Sequence, residues 1–120
     1  MTKSVSLDGT VEKWVWANPH SWLYLTVRKA DGKVEEWAFE ASSPNMMVRW
    51  GWNASDIKIG DKITVDTHPA RNGQFAGSLH AVYFGNGKVL ADPMGRQVTG
   101  RELADGPASL PTQPTGVEYR

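Results

Sequence analysis

Two short runs, Trp22–Lys29 and Lys33–Glu40, meet at Ala30-Asp31-Gly32 and constrain this chain more than any other feature. Apolar and polar residues alternate through both, the period-two signature of half-buried strands joined by a tight turn. Two registers compete. A two-residue Asp-Gly turn would set Leu25 opposite Ala38 and Leu23 opposite Glu40. A three-residue loop with Gly32 in the left-handed conformation would set Leu25 opposite Trp37 and Leu23 opposite Phe39. Only the second gathers Leu23, Leu25, Val27, Trp37 and Phe39 on one face. A slip of one residue flips every side chain, so the pattern itself selects this register.

The remaining segments extend that β framework. From Ser4 to Trp16, Val5, Leu7 and Val11 share one parity with Gly9, while Ser4, Ser6, Asp8, Thr10 and Glu12 take the other. The alternation stumbles near Lys13, and Gly9 marks a bend or bulge. In "SSPNMMVRWGW", Ser43 suits a helix N-cap, Pro44 the first helical position and Gly51 the C-terminal cap. The segment predicts a short helix with Met46, Met47 and Trp50 on its apolar side and Trp50 as its anchor. Turns at Gly60-Asp61, Asn72-Gly73 and Asn86-Gly87 then separate strands over 62–68, 78–84 and 88–91. Three strands, a helix and a final hairpin is the element order of an OB-like antiparallel β-barrel of five to six strands. A small antiparallel sandwich is the alternative. Residues 1–91 form the expected domain. Residues 92–120 hold four of the seven prolines and few large apolar residues, and read as an extended or disordered tail.

Composition narrows the chemistry. Net charge is zero, and residues 1–91 carry ten Lys/Arg against nine Asp/Glu. The basic excess that supplies non-specific nucleic-acid affinity is missing, so no nucleic-acid partner is expected. With no cysteine, disulfides, thiolate metal sites and thiol nucleophiles are excluded. No apolar run approaches the length of a membrane span. Six tryptophans in 120 residues are many, and this side chain favours cores, interfaces and binding faces.

The stretches "GTVEKWVWANPHSWLYLTV", "VEEWAFEASSPNMMVRWGW" and "IKIGDKITVDTHPARNGQFAGSLHAVYF" carry a resemblance. With NPHSW, SPN before GW, and GD before HP, the chain resembles a family of small exported bacterial proteins of unknown function, numbered 6152. The resemblance spans about residues 4–91 and implies a periplasmic location; a cytoplasmic one is the alternative. It implies no activity.

Three functional readings follow from the residues. The first is a binding or accessory module. On strict alternation Trp14 and Trp16 share one parity, and Trp22 and Tyr24 face away from Leu23 and Leu25. With Asn18 and His20 they would form an aromatic-lined outer face around loop 17–22. Such a face takes a small molecule, a protein partner or a second copy of the chain. It could equally be covered by the helix or the tail. The second reading is a small enzyme with His20 as general acid or base, assisted by Tyr24, Glu40 or Asn18. Against it, His20 reads equally well as a turn histidine bonded to a backbone carbonyl, and Glu35, Glu36 and Glu40 as solvated strand charges. The third places a transition metal such as copper on His68 and His80, with Asp66 as third ligand. These histidines flank the Asn72-Gly73 turn and would be cross-strand neighbours. No other cofactor is expected.

Overall fold

The protein's computed structural model describes residues 4–93 and the strand Val117–Tyr119. The elements are β1 (Val5–Trp16), β2 (Trp22–Arg28), β3 (Val34–Glu40), α1 (Pro44–Arg49), a 3-10 turn (Ala54–Asp56), β4 (Lys62–Pro69), β5 (Ala76–Phe84), β6 (Val89–Ala91) and β7 (Val117–Tyr119). Strands β1 to β5 close into the five-stranded OB-like barrel expected. β1 pairs β2, β2 pairs β3, β3 pairs β5 in parallel, β5 pairs β4, and β4 returns to β1. Among the described residues no helix is long and apolar enough to cross a membrane.

The β2–β3 hairpin takes the register that the apolar pattern selects. Leu23 faces Phe39 and Leu25 faces Trp37. Lys29 and Lys33 close the three-residue loop, and Gly32 has a φ of 86°, open to glycine at no steric cost. Closure of the barrel depends on β1 serving two neighbours. Its first half, Val5–Thr10, pairs with β4, and from Thr10 onward it pairs with β2. At the changeover β2 crosses so closely that a Cβ on Gly9 would lie 2.6 Å from Leu25 Cγ and from the Thr26 carbonyl oxygen. β6 extends the barrel beside β5. β7 pairs with Trp14–Trp16 of β1, beyond the part that β4 covers. The expectation for the tail falls otherwise on residues 94–116, outside the described residues.

One bulge decides the inside of the barrel. Val11 faces Leu25 but Lys13 faces Tyr24, so Glu12 is an extra residue in β1. The parity of the strand therefore inverts after Val11. Trp14 turns inward, is fully buried, and stacks on Trp52 with ring centroids 6.3 Å apart. Its indole N–H donates to the Ala54 carbonyl. The core gathers Trp14, Leu23, Leu25, Phe39, Met47, Trp52, Leu79 and Val82. Burying each large apolar side chain contributes about 1.5–3 kcal/mol.

The helix starts where Ser43 and Pro44 indicate. Ser43 Oγ accepts from the Met46 amide, and Gly51 takes a φ of 94° after the helix. Its anchor is not Trp50, which is half-buried, but Trp52, which donates from its indole to the Ala91 carbonyl at 2.8 Å. The chain reverses at Gly51, which swings Trp52 rather than Trp50 into the core.

Candidate functional site

In a sheet, residues paired across strands point to the same face. The registers place Val15, Trp22, Glu40, Ser78 and His68 side by side across β1, β2, β3, β5 and β4. This row lies on the outer wall of the barrel, since the neighbouring Leu23, Phe39 and Leu79 point into the core. At about 4.8 Å per strand, the path along the curved wall from Trp22 to His68 is roughly 14 Å.

Glu40 occupies the middle of the row. It is not the solvated charge expected of its outward parity, for it is only 2% exposed. Loop 17–21 folds over β3: Ser21 bonds the backbone of Ala41 and Ser42, and its hydroxyl accepts from the Ala17 amide. That fold brings His20 onto Glu40, with Nδ1 2.6 Å from Oε2 and the His20 side chain 24% exposed. The Asn18-Pro19 peptide within the loop is cis. A carboxylate on Nδ1 makes that nitrogen the proton donor and Nε2 the acceptor in neutral imidazole. The arrangement orients one ring at the surface against one buried anion.

A second histidine pair ends the row. On β5, Ala81 faces Asp66 and Leu79 faces Thr67, so His80 is an extra residue in that strand. The bulge turns His80 onto His68, with ring centroids 4.0 Å apart and the rings edge to face. Burial, then the neighbouring His68, lower the pKa of His80, against a smaller opposing pull from Asp92 and Asp66. Behind it Asp92, itself buried, accepts from the Ser42 amide at 2.9 Å and the Ser42 hydroxyl at 3.1 Å, and its own amide donates to the His80 carbonyl. Two buried atoms here, Ser78 Oγ and His80 Nε2, have no hydrogen-bond partner among the described residues. Native interiors leave few such groups, and each one calls for an explanation.

The structure thus joins some of the expected site residues and separates others. His20 and Glu40 meet, as do His68 and His80. Asp66 is held elsewhere, accepting from Ser6 Oγ at 2.5 Å and Tyr83 Oη at 2.7 Å. Among the described residues no three His, Cys, Asp or Glu side chains group as a metal site. The single outer aromatic face does not form. Trp14 is in the core, and Trp16 follows it, packed against it with centroids 5.7 Å apart. Trp22 and Tyr24 remain on the outer wall, both half-buried, and Asn18 is exposed in the loop that precedes them. Burial pushes the Tyr24 phenol well above its ordinary range, so this side chain stays a neutral hydrogen-bonding group rather than a base. Ser78, Ser42 and Asp92 are the participants that sequence reasoning missed. Asp92 sits just before Pro93, where composition marks the start of a tail.

Comparison with known proteins then places the chain. A family of unknown function, DUF6152, matches residues 1–80. The chain belongs to the DUF6152 family. No curated protein and no solved structure matches this DUF6152 chain. The matched residues include His20, Glu40, Ser78, His68 and His80, but not Ser42's partner Asp92.

Proposed function

We propose that this protein is a small-ligand-binding module of the periplasm whose site is the outer-wall row around loop 17–22. His20 supplies its polar anchor, oriented by the buried Glu40 beneath it, and Trp22 and Tyr24 the flanking ring surface. The observation that carries the proposal is the buried Glu40 carboxylate held 2.6 Å from the surface imidazole of His20. Burying a carboxylate is costly even where hydrogen bonds compensate it. A fold that retains one at the rim of a loop has a use for an oriented imidazole there. The periplasmic setting rests on the resemblance of the motifs to those of exported proteins.

A fragment screen read by heteronuclear NMR tests the binding site. Hits should perturb the resonances of His20, Trp22 and Tyr24 together and weaken about tenfold in Glu40→Gln, which keeps the shape but removes the charge. Hits that leave these resonances unmoved would sink the proposal. Fractionation of cells producing the protein from its natural gene tests the location, and recovery from the cytoplasm alone would exclude it.

The histidine–carboxylate contact also favours a second reading, a proton-transfer enzyme with His20 as general acid or base. Carboxylate-oriented imidazoles serve that chemistry. The two readings part on one result. Under the second, a hit is converted to product, and His20→Gln abolishes conversion while binding survives.

A further inference from the structure

A second candidate site lies toward the other end of β2. Trp22 borders the histidine row and Arg28 ends the strand, six residues and about 20 Å away. Here β1 leaves β2 to pair with β4, since the β1–β2 ladder begins only at Thr10. The divergence opens a groove of about 570 Å³, within the range of small-molecule sites.

The side chains that point into it follow from the registers. Thr26, Thr10 and Lys62 form one outward row across β2, β1 and β4; Asp8, Thr64 and Tyr83 form the next across β1, β4 and β5. Arg28 joins them from the end of β2. The polar groups divide by chemistry. Arg28 and Lys62 are exposed cations that make no ion pair or hydrogen bond with the described residues. Together they present donors only. Asp8, Thr26 and Thr64 present acceptors. The Thr64 hydroxyl donates to Asp8, and the Thr26 hydroxyl donates to Glu12. Their donor hydrogens are thus committed, while their oxygen lone pairs still accept. The exposed Tyr83 ring stands at the side of this acceptor row, its hydroxyl tied to Asp66.

We propose that this groove binds a monosaccharide-sized acidic polyol, with an oxyanion on Arg28 and Lys62 and hydroxyl groups donating to Asp8, Thr26 and Thr64. The division of the lining selects that class. A carboxylate or phosphate matches two unpaired cations, one a planar fork suited to oxyanions. Sugar hydroxyls match a row of acceptors whose own hydrogens point elsewhere, and the apolar face of a sugar ring suits Tyr83. A bare anion would meet Asp8 and gain nothing from the threonines. A neutral sugar would leave both cations unsatisfied.

Titrations of the whole chain with D-glucuronate, D-glucose 6-phosphate, D-glucose and inorganic phosphate, followed by backbone NMR, test this assignment. Both acidic sugars should shift the amides of Thr10, Thr26 and Thr64, and bind at least about tenfold more tightly than glucose and than inorganic phosphate. Raising the salt should weaken them. Arg28→Gln and Lys62→Gln should each weaken the acidic sugars about tenfold with the spectrum otherwise intact, because both side chains are exposed and make no ion pair or hydrogen bond with the described residues. Equal binding of glucose overturns the oxyanion contact. Equal binding of inorganic phosphate overturns the polyol contacts. Shifts confined to His20, Trp22 and Tyr24 overturn the groove as the site while leaving the other site standing.

Discussion

The histidine row and the threonine groove lie on the same barrel wall and use ionisable groups in opposite ways. In the row, charges are consumed internally. Glu40 is buried against His20, and Asp92 is buried against Ser42. In the groove, Arg28 and Lys62 face solvent with no partner among the described residues. The first arrangement fixes side-chain directions at a cost in desolvation. The second costs the fold nearly nothing and leaves its electrostatic attraction for a visitor. Substitutions of the charged side chains should therefore differ in kind: those in the row cost stability, whereas those of Arg28 and Lys62 leave stability nearly unchanged and alter what binds.

The sharpest test uses the glycine that each region contains. Gly77 lies where β3, β4 and β5 meet, and a Cβ there would collide with the His68 carbonyl oxygen and Thr67 Oγ1; Gly9 beside the groove would collide with Leu25 and the Thr26 carbonyl. Gly77→Ala should cost about 3 kcal/mol in urea unfolding and Gly9→Ala somewhat less, because the Leu25 side chain can shift whereas Thr67 Oγ1 is buried and tied to the Ser78 carbonyl. Near-neutral Gly77→Ala would show that the row end of the barrel is looser than the groove end.

Next comes Glu40→Ala, which strips His20 of its buried partner. A loss of about 2 kcal/mol is expected from the same unfolding measurement. No loss would make the row as dispensable to the fold as the groove.

His80 gives the row a pH dependence of its own. Its folded-state pKa lies below the ordinary value of 6.5, so the unfolded chain takes up the proton first as the pH falls. The stability linked to neutral His80 is present above 6.5, and is lost as the pH drops from there through the lowered folded value. Unfolding midpoints measured from about pH 7.5 down to about pH 5.5 should fall, and His80→Asn should flatten the decline. An unchanged slope in the variant would assign the decline to another group.

The smallest effect belongs to Lys62→Ala, expected to stay within about 0.5 kcal/mol of the parent. A larger loss would reveal a structural duty for that lysine and erase the contrast between the regions.

Much of the architecture was legible because it is written in local pattern. The β2–β3 register follows from which face collects Leu23, Leu25, Trp37 and Phe39, and the helix follows from Ser43, Pro44 and Gly51. What escaped depends on two single-residue insertions. The stumble near Lys13 is visible, but Trp14 and Val15 are both apolar, so composition does not say which one turns inward. The extra residue at Glu12 settles it, and moves Trp14 from a supposed binding face to the centre of the core. The neighbouring of His68 and His80 was legible from the Asn72-Gly73 turn, but the bulge at His80 was not, and Asp66 pairs with Ser6 and Tyr83 instead of joining them. The burial of Glu40 has no local signal at all, because the loop that covers it starts more than twenty residues earlier in the chain.

The clasp formed by Asp92 has a consequence for how the molecule comes apart. Its carboxylate grips the turn after β3, and the adjacent Ala91 carbonyl grips the Trp52 indole. The end of the last hairpin is thereby sewn to the middle of the chain. The helix region and β6 should unzip as one cooperative unit, with the Ser42 amide and the Trp52 indole exchanging their hydrogens at a common rate. A fragment cut at residue 80, where the family match stops, would lose that stitch together with the end of β5 and all of β6. The smallest portion expected to fold therefore extends at least to Asp92, past the end of the family match.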